Sequence, residues 1–82
     1  MKLKGNEAVK ARIIKLIDES GLTINAVCTK GFLTTSTLNT FLNGKNEYCS
    51  IKTIIKVCQG LGITLYDFFN DDSFKNLEIE MD

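Results

Sequence analysis

Apolar residues recur along this chain at the three- and four-residue intervals of short amphipathic helices, and each run follows a polar residue that can cap a helix. The pattern predicts five helices, over about 7–20, 24–30, 35–42 and 51–60 and in a short segment after residue 64. The expected caps are Asn6 with Glu7, then Thr23, Thr34, Ser50, and Thr64 with Asp67. The fold class is therefore a compact all-α domain with short connections.

The same periodicity predicts which side chains are buried. On the third helix the inward residues are Leu38, Phe41 and Leu42. The fourth helix is expected to bury a well-spaced stripe, Ile51, Ile54, Ile55, Cys58 and Leu61. On the first helix the stripe is Ala8, Val9, Ile13, Leu16 and Ile17, which leaves Lys10, Arg12, Lys15 and Asp18 mostly outside.

The two ends carry a different period. Residues 1–4 alternate apolar with basic, and residues 77–82 alternate apolar with acidic, which is the spacing of a β-strand. The ends could pair as a short terminal β-ribbon with opposite charges on one face, or both could fray, as chain termini usually do. Residues 1–82 form a single domain, with a core at about 6–70 and an acidic tail at 71–82.

Composition excludes several classes of protein. The chain has 82 residues, of which 44% are hydrophobic, and no apolar run approaches the ~20 residues of a membrane span. There is no signal-peptide pattern, so the expected location is cytoplasmic, without a membrane partner. The three cysteines form no C-x-x-C pair and there is no histidine, which excludes a Cys/His zinc site and a Cys–His nucleophile. The cysteines are expected to be buried free thiols.

The formal net charge is zero, but the charges are unevenly distributed. Up to Tyr66 there are nine basic and four acidic residues, whereas one lysine and six acidic residues follow from Asp67 onward. The helical body is therefore basic and the tail acidic. This excess is small, so binding to nucleic acid would have to depend on geometry as well as on bulk attraction.

The segment from Thr23 to Lys45 carries the most informative chemistry. It predicts two short helices joined by a tight turn, and the second has an outer face of Thr, Ser and Asn. Short hydroxyl and amide side chains on such a helix can hydrogen-bond to base edges and phosphates in a DNA major groove. Taken alone, the hydroxyl run at 34–37 is more typical of an ordinary capped helix with a solvated face, and only the full five-helix pattern favours DNA binding.

From Gly21 to Phe69 the pattern resembles the lambda-repressor-like helix-turn-helix family, of the phage-repressor and xenobiotic-response-element type. The matching features, in order, are Val27-Cys28, Leu33-Thr34, Leu38, Gly44, Ser50-Ile51-Lys52-Thr53 and Leu61-Gly62-Ile63-Thr64-Leu65. There are three departures. Ile24 occupies a position where the family often has a Gln that helps to fix the protein to a phosphate. Phe32 occupies the position of the family's turn glycine, and Cys49 occupies that of the proline often found before the fourth helix. Because a Phe at positive φ would be strained, the turn is expected to be re-shaped, with Gly31 taking the unusual geometry.

The resemblance implies which residues meet DNA. Base edges are assigned to Thr35, Ser36, Asn39 and Thr40, and phosphates to Thr23, Thr34, Asn43, Lys45 and Asn46. Lys30 and Lys52 would add steering charge. Since no arginine lies on the third helix, a modest A·T-leaning preference is expected.

The function expected from the sequence is a sequence-specific DNA-binding transcriptional regulator, a repressor in the commoner case. It would act on double-stranded DNA as a homodimer, with no cofactor, metal or small-molecule ligand. The alternative is a protein-interaction module, such as an antitoxin, antirepressor or assembly subunit, that keeps the fold without binding DNA. An enzyme is disfavoured because no nucleophile lies beside a base and no phosphate loop is present.

Overall fold

The computed structural model describes residues 4–44 and 48–77. Within these ranges the chain forms five α-helices and one short 3-10 turn: α1 Gly5–Ser20, α2 Ile24–Lys30, α3 Thr35–Asn43, α4 Ile51–Leu61, α5 Leu65–Phe69, and the 3-10 turn Asp72–Phe74. The all-α fold class with five helices is confirmed. The terminal ribbon was predicted on residues that are mostly outside the described ranges.

Hydroxyl side chains start four of the five helices, as predicted. Thr23 Oγ1 accepts from the Ala26 amide at 3.1 Å, and Thr34 Oγ1 from the Thr37 amide at 3.2 Å. The equivalent bonds at α4 and α5 run from Thr53 N to Ser50 Oγ (3.2 Å) and from Asp67 N to Thr64 Oγ1 (3.1 Å). Each cap satisfies a first-turn N–H group that would otherwise lack a partner.

The predicted cap of α1 is wrong. Lys4 is the residue before the helix, and Asn6 lies inside the first turn, where it is buried. Glu7 nevertheless has the role expected of an acidic residue at this position, because its Oε1 accepts from the Lys4 amide at 3.1 Å. The helix therefore starts two residues earlier than the sequence pattern indicated.

The buried face of α4 is also rotated from the prediction. Ile54 and Cys58 are buried as expected, but Ile51 and Ile55 are exposed and Val57 is completely buried in their place. The periodicity was correct and its phase was not, since an apolar residue can occupy a solvent-facing position at little cost. Phe68 of α5 and Leu38 of α3 complete the centre of the core.

Close packing of α2 against α4 holds the fold together. Gly31 follows α2, and a Cβ there would lie 2.9 Å from the carbonyl carbon of Lys56; Gly60 of α4 meets Val27 in the same way. Real side chains do not approach backbone atoms so closely, so both positions require glycine. The contact fixes α2, and through it the following turn and α3, on the body of the domain.

Candidate nucleic-acid interface

The turn between α2 and α3 departs from the sequence-based prediction. Phe32, not Gly31, has the left-handed backbone conformation, with φ 57°, while φ of Gly31 is −91°. Glycine is needed at Gly31 for a different reason, which is its close contact with α4. The Phe32 side chain is 83% exposed, and the strain is therefore not offset by burial of the ring.

Backbone hydrogen bonds close this turn tightly. The amide of Gly31 donates to the Val27 carbonyl and the amide of Leu33 donates to the Cys28 carbonyl, both at 2.9 Å. The chain then enters the extended conformation at Thr34, whose hydroxyl caps α3. Because α2 packs closely on α4 and the turn after α2 is closed by backbone hydrogen bonds, the direction of α3 relative to the body of the domain is fixed.

The polar face of α3 is open. Leu38 and Phe41 are buried beneath the helix, whereas Ser36, Thr40 and Asn43 are exposed on the opposite side. At 3.6 residues per turn these three lie along one line parallel to the helix axis. The candidate base-reading face thus projects from the described part of the domain as a continuous polar ridge.

The edges of this ridge face two other helices. Thr35 is half-buried on the side of α2, and its Oγ1 donates to Oδ1 of Asn25 at 3.1 Å. Thr37 lies on the other edge, where a depression of about 220 Å³ separates α3 from the start of α4. Three further hydroxyl residues, two aromatic rings and a cysteine share its lining, namely Thr40, Ser50, Thr53, Phe41, Tyr48 and Cys49. Asn39 is also half-buried, and on the helix it lies between the centre of the ridge and the edge that faces α2.

The hydroxyl protons at two of the predicted base-contacting positions are already engaged. Thr35 gives its proton to Asn25, and Thr40 gives its proton to the Ser36 carbonyl at 2.9 Å, one turn earlier in the same helix. A threonine hydroxyl has one proton and two lone pairs. At both residues the hydroxyl oxygen can therefore only accept a further hydrogen bond.

The predicted phosphate contacts divide into two groups. Thr23, Thr34 and Asn43 are exposed, at the start of α2, the start of α3 and the end of α3, respectively. Lys45 and Asn46 lie outside the described residues.

At the end of α3, Lys10 of α1 donates from Nζ to the Gly44 carbonyl, with the same nitrogen 5.6 Å from the centre of the Phe41 ring. This lysine ties the C-terminal end of α3 to α1.

Arg12 does not lie outside, as its position on α1 had suggested; its side chain is only 11% exposed. Its Nε donates to the Phe68 carbonyl at 2.7 Å and its Nη2 to the Asp67 carbonyl at 2.8 Å, and Nη1 lies 3.4 Å from Asp71 Oδ1. The carbonyls at the end of α5 have no helical partners, so a guanidinium fits them well. The one arginine of the chain is therefore committed to the fold.

The cysteines are free, with Cys28 and Cys58 buried and Cys49 half-buried. Burial raises the pKa of all three thiols, which disfavours the reactive thiolate form. Over residues 4–44 and 48–77, no group of three His, Cys, Asp or Glu side chains is placed to hold a metal ion. In the same ranges, no helix combines the length and the apolar character that crossing a bilayer requires.

A family model for the Cro/C1-type HTH DNA-binding domain matches residues 12–72. The match contains α2, the turn and α3 in the arrangement described above. The chain belongs to the Cro/C1-type helix-turn-helix family. This confirms the phage-repressor type of family predicted from the sequence, and the domain is a DNA-binding domain by family.

The fold of this Cro/C1-type domain is also similar to a solved structure, that of the prophage Lp1 protein 11. The two chains are 38% identical, with a TM-score of 0.77 over 94% of this chain and 100% of the other. No curated protein sequence matches significantly.

Two residues of the Cro/C1-type domain that matter for the interface were missed by sequence reasoning. Asn25 is an exposed residue in the first turn of α2, and nothing in the periodicity distinguishes it from a solvated side chain. Its position directly after Ile24, where the family often has glutamine, was the available signal. Lys10 was expected only to be a solvent-facing charge on α1. The assignments of individual base and phosphate contacts remain predictions.

Proposed function

We propose that this protein is a sequence-specific DNA-binding regulator, in the commoner case a repressor, that inserts α3 into the major groove. The observation that carries the proposal is the exposed polar ridge of α3, mounted on a rigid α2–α4 contact in a Cro/C1-type domain. A helix with short polar side chains can approach base edges closely, because no long side chain holds it away from the groove floor. The likeness to a prophage protein supports the phage type of helix-turn-helix domain.

The proposed base contacts are those of Thr35, Ser36, Asn39 and Thr40. Their amide and hydroxyl groups suit adenine, and the threonine methyl groups suit the thymine methyl. Guanine recognition usually depends on arginine, and Arg12 is held at the end of α5. The preference is therefore expected to favour A·T pairs.

The proposed phosphate contacts surround that face. Thr23 and Thr34 stand at helix starts, where backbone N–H groups favour an anion, and Asn43, Lys45 and Asn46 follow the end of α3. Such contacts fix the register of the protein on the duplex without reading its sequence.

We also propose a homodimer. Apolar side chains on the helices that follow α3 remain exposed, with Tyr66 76% exposed on α5 and Ile51 and Ile55 exposed on α4. Burial of these side chains between two copies would stabilise such a dimer, and helix-turn-helix dimers place their two recognition helices in successive major grooves, about 34 Å apart. Sedimentation equilibrium over a range of protein concentration tests this directly, and a monomer at every concentration would contradict it.

Repression would follow from occupancy of a site that overlaps a promoter, in the cytoplasm where the DNA of a phage host lies. A template carrying the bound site between promoter elements should give less transcript as protein is added. An increase in transcript would indicate activation and contradict repression, but it would not contradict DNA binding.

The experiment that tests the proposed function is selection of bound fragments from host and phage DNA, followed by binding of the selected duplex over a salt series. The expected result is an enriched site, often a pair of half-sites, with affinity that falls steeply as salt rises. Absent binding, or binding that does not depend on salt, would favour the protein-interaction module instead. Capture of a defined protein partner would then be the next measurement.

A further inference from the structure

The bond from Thr35 to Asn25 has a consequence for which base the protein can read. We propose that Asn25 is a specificity-determining positioning residue: by accepting the Thr35 proton, it makes Thr35 an acceptor that selects a base with an exocyclic amino group. In the major groove those groups are N6 of adenine and N4 of cytosine. The inference depends on the proposed DNA-binding function and names the base chemistry read at one position of the site.

The geometry supports this direction of bonding. Thr35 Oγ1 lies 3.1 Å from Asn25 Oδ1, within ordinary hydrogen-bond distance. With its proton given to Asn25, the Thr35 oxygen can only accept from DNA. It would then meet guanine O6 or thymine O4, which are also acceptors, with lone pairs facing lone pairs.

Thr40 provides an internal reference. Its proton is given to the Ser36 carbonyl at 2.9 Å, so it has the same acceptor polarity as Thr35. That partner is backbone and is unaffected by substitution of Asn25. Loss of Asn25 should therefore alter the preference at the base pair read by Thr35 and leave the preference at the base pair read by Thr40 unchanged.

The test is selection from a randomised duplex library with the wild-type chain and with Asn25→Ala, Asn25→Asp, Thr35→Val and the double variant Asn25→Ala/Thr35→Val. The wild-type site should prefer adenine or cytosine at one position by about fivefold or more. Asn25→Ala frees the Thr35 proton, so that position should accept all four bases within about twofold. Asn25→Asp keeps an acceptor oxygen, and it should keep the preference while binding every duplex more weakly because of its added charge.

The double variant tests whether the two side chains act as one unit. Thr35→Val removes the hydroxyl and keeps the shape, and adding Asn25→Ala should then change the base preference no further. Asn76→Ala, the same substitution at an exposed residue beyond the 3-10 turn, is the matched control and should leave the preference unchanged. Thermal unfolding of each variant separates a change in reading from a change in folding.

The outcomes separate the inference from the function it depends on. If the wild-type chain binds and selects a site, and Asn25→Ala keeps the same preference at every position, the coupling is wrong and the regulator assignment stands. Additive effects of the two substitutions would also overturn the coupling. If the wild-type chain selects no site, the proposed function itself fails and the inference fails with it.

Discussion

Gly60 of α4 lies directly against Val27 of α2, so that a Cβ on Gly60 would be 2.9 Å from both the carbonyl carbon and Cγ1 of Val27. Ordinarily, alanine stabilises a helix relative to glycine by about 0.5–1 kcal/mol. Here the overlap involves backbone, which cannot move without shifting α2. The contact therefore reverses the usual preference, and it connects the core of the domain to the placement of α3.

Gly60→Ala should lower the free energy of unfolding by about 1–3 kcal/mol, the usual cost of overpacking. Urea unfolding followed by circular dichroism measures the change. Gly5→Ala is the matched control, because Gly5 is also helical and has open space around its Cα. Its free energy of unfolding should stay the same or rise slightly. Equal behaviour of the two variants would contradict the close approach of α2 and α4.

Phe32→Gly should raise the free energy of unfolding by about 1 kcal/mol, because glycine adopts a φ of 57° without steric cost. The exposed ring contributes little packing, so little is lost with it. Phe32→Ala removes the ring and keeps the Cβ, and it should leave stability nearly unchanged. Destabilisation by both substitutions would indicate that the ring has a packing role.

Arg12→Met should lower the free energy of unfolding by about 2–3 kcal/mol, since two carbonyls at the end of α5 lose a charged donor in a largely enclosed position. Lys15→Met is the control on the same helix. Lys15 Nζ lies 3.7 Å from Asp71 but its side chain is 56% exposed, so the change should stay within about 0.5 kcal/mol. A large effect at Lys15 and none at Arg12 would contradict the assigned roles.

Asp71 should make the domain acid-sensitive. The Ser73 hydroxyl and amide donate to Asp71 Oδ2, at 2.6 and 3.1 Å, and together with the nearby Arg12 and Lys15 charges they hold the pKa of Asp71 below its ordinary value. Because the folded state favours the carboxylate, this contribution is complete above the ordinary pKa. It is lost as pH falls through the lowered pKa.

Urea midpoints measured from about pH 5 down to pH 2 should therefore fall less steeply for Asp71→Asn than for the wild-type chain. Asp72→Asn is the control, because the Asp72 side chain is almost fully exposed. It should follow the wild-type pH profile closely. Parallel profiles for Asp71→Asn and wild type would contradict the stabilised carboxylate.

Much of this fold could be predicted from local chemistry. The hydroxyl caps at Thr23, Thr34, Ser50 and Thr64 are bonds within three residues, so the sequence contains both partners. The left-handed residue of the turn is Phe32, the position where the resemblance placed the turn glycine, and only the expectation that Gly31 would take this geometry was wrong. The contact that does require glycine at Gly31 is with Lys56, 25 residues later in the chain, and no local rule includes it.

The interface shows the same division. The polar face of α3 follows from its helical period, and the sequence identified its exposed residues Ser36, Thr40 and Asn43. Thr35 and Asn39, which were also expected to project, are half-buried. Thr35 is left as a hydrogen-bond acceptor because its proton goes to Asn25 in another helix. Arg12 is held at the end of α5 by a hydrogen bond to Phe68, 56 residues later in the chain. Long-range side-chain contacts of this kind are determined by tertiary packing, and the periodicity of the sequence does not predict them.

The central claim is that the outer face of α3 reads DNA. The most direct measurement compares the affinity of wild type and of Thr35→Ala/Thr40→Ala for the selected duplex and for a scrambled duplex of the same length and composition. We expect the double variant to lose about tenfold or more on the selected duplex and to bind the scrambled duplex within about twofold of wild type, because phosphate contacts are kept. An unchanged ratio between the two duplexes, in a variant that still folds, would contradict the claim.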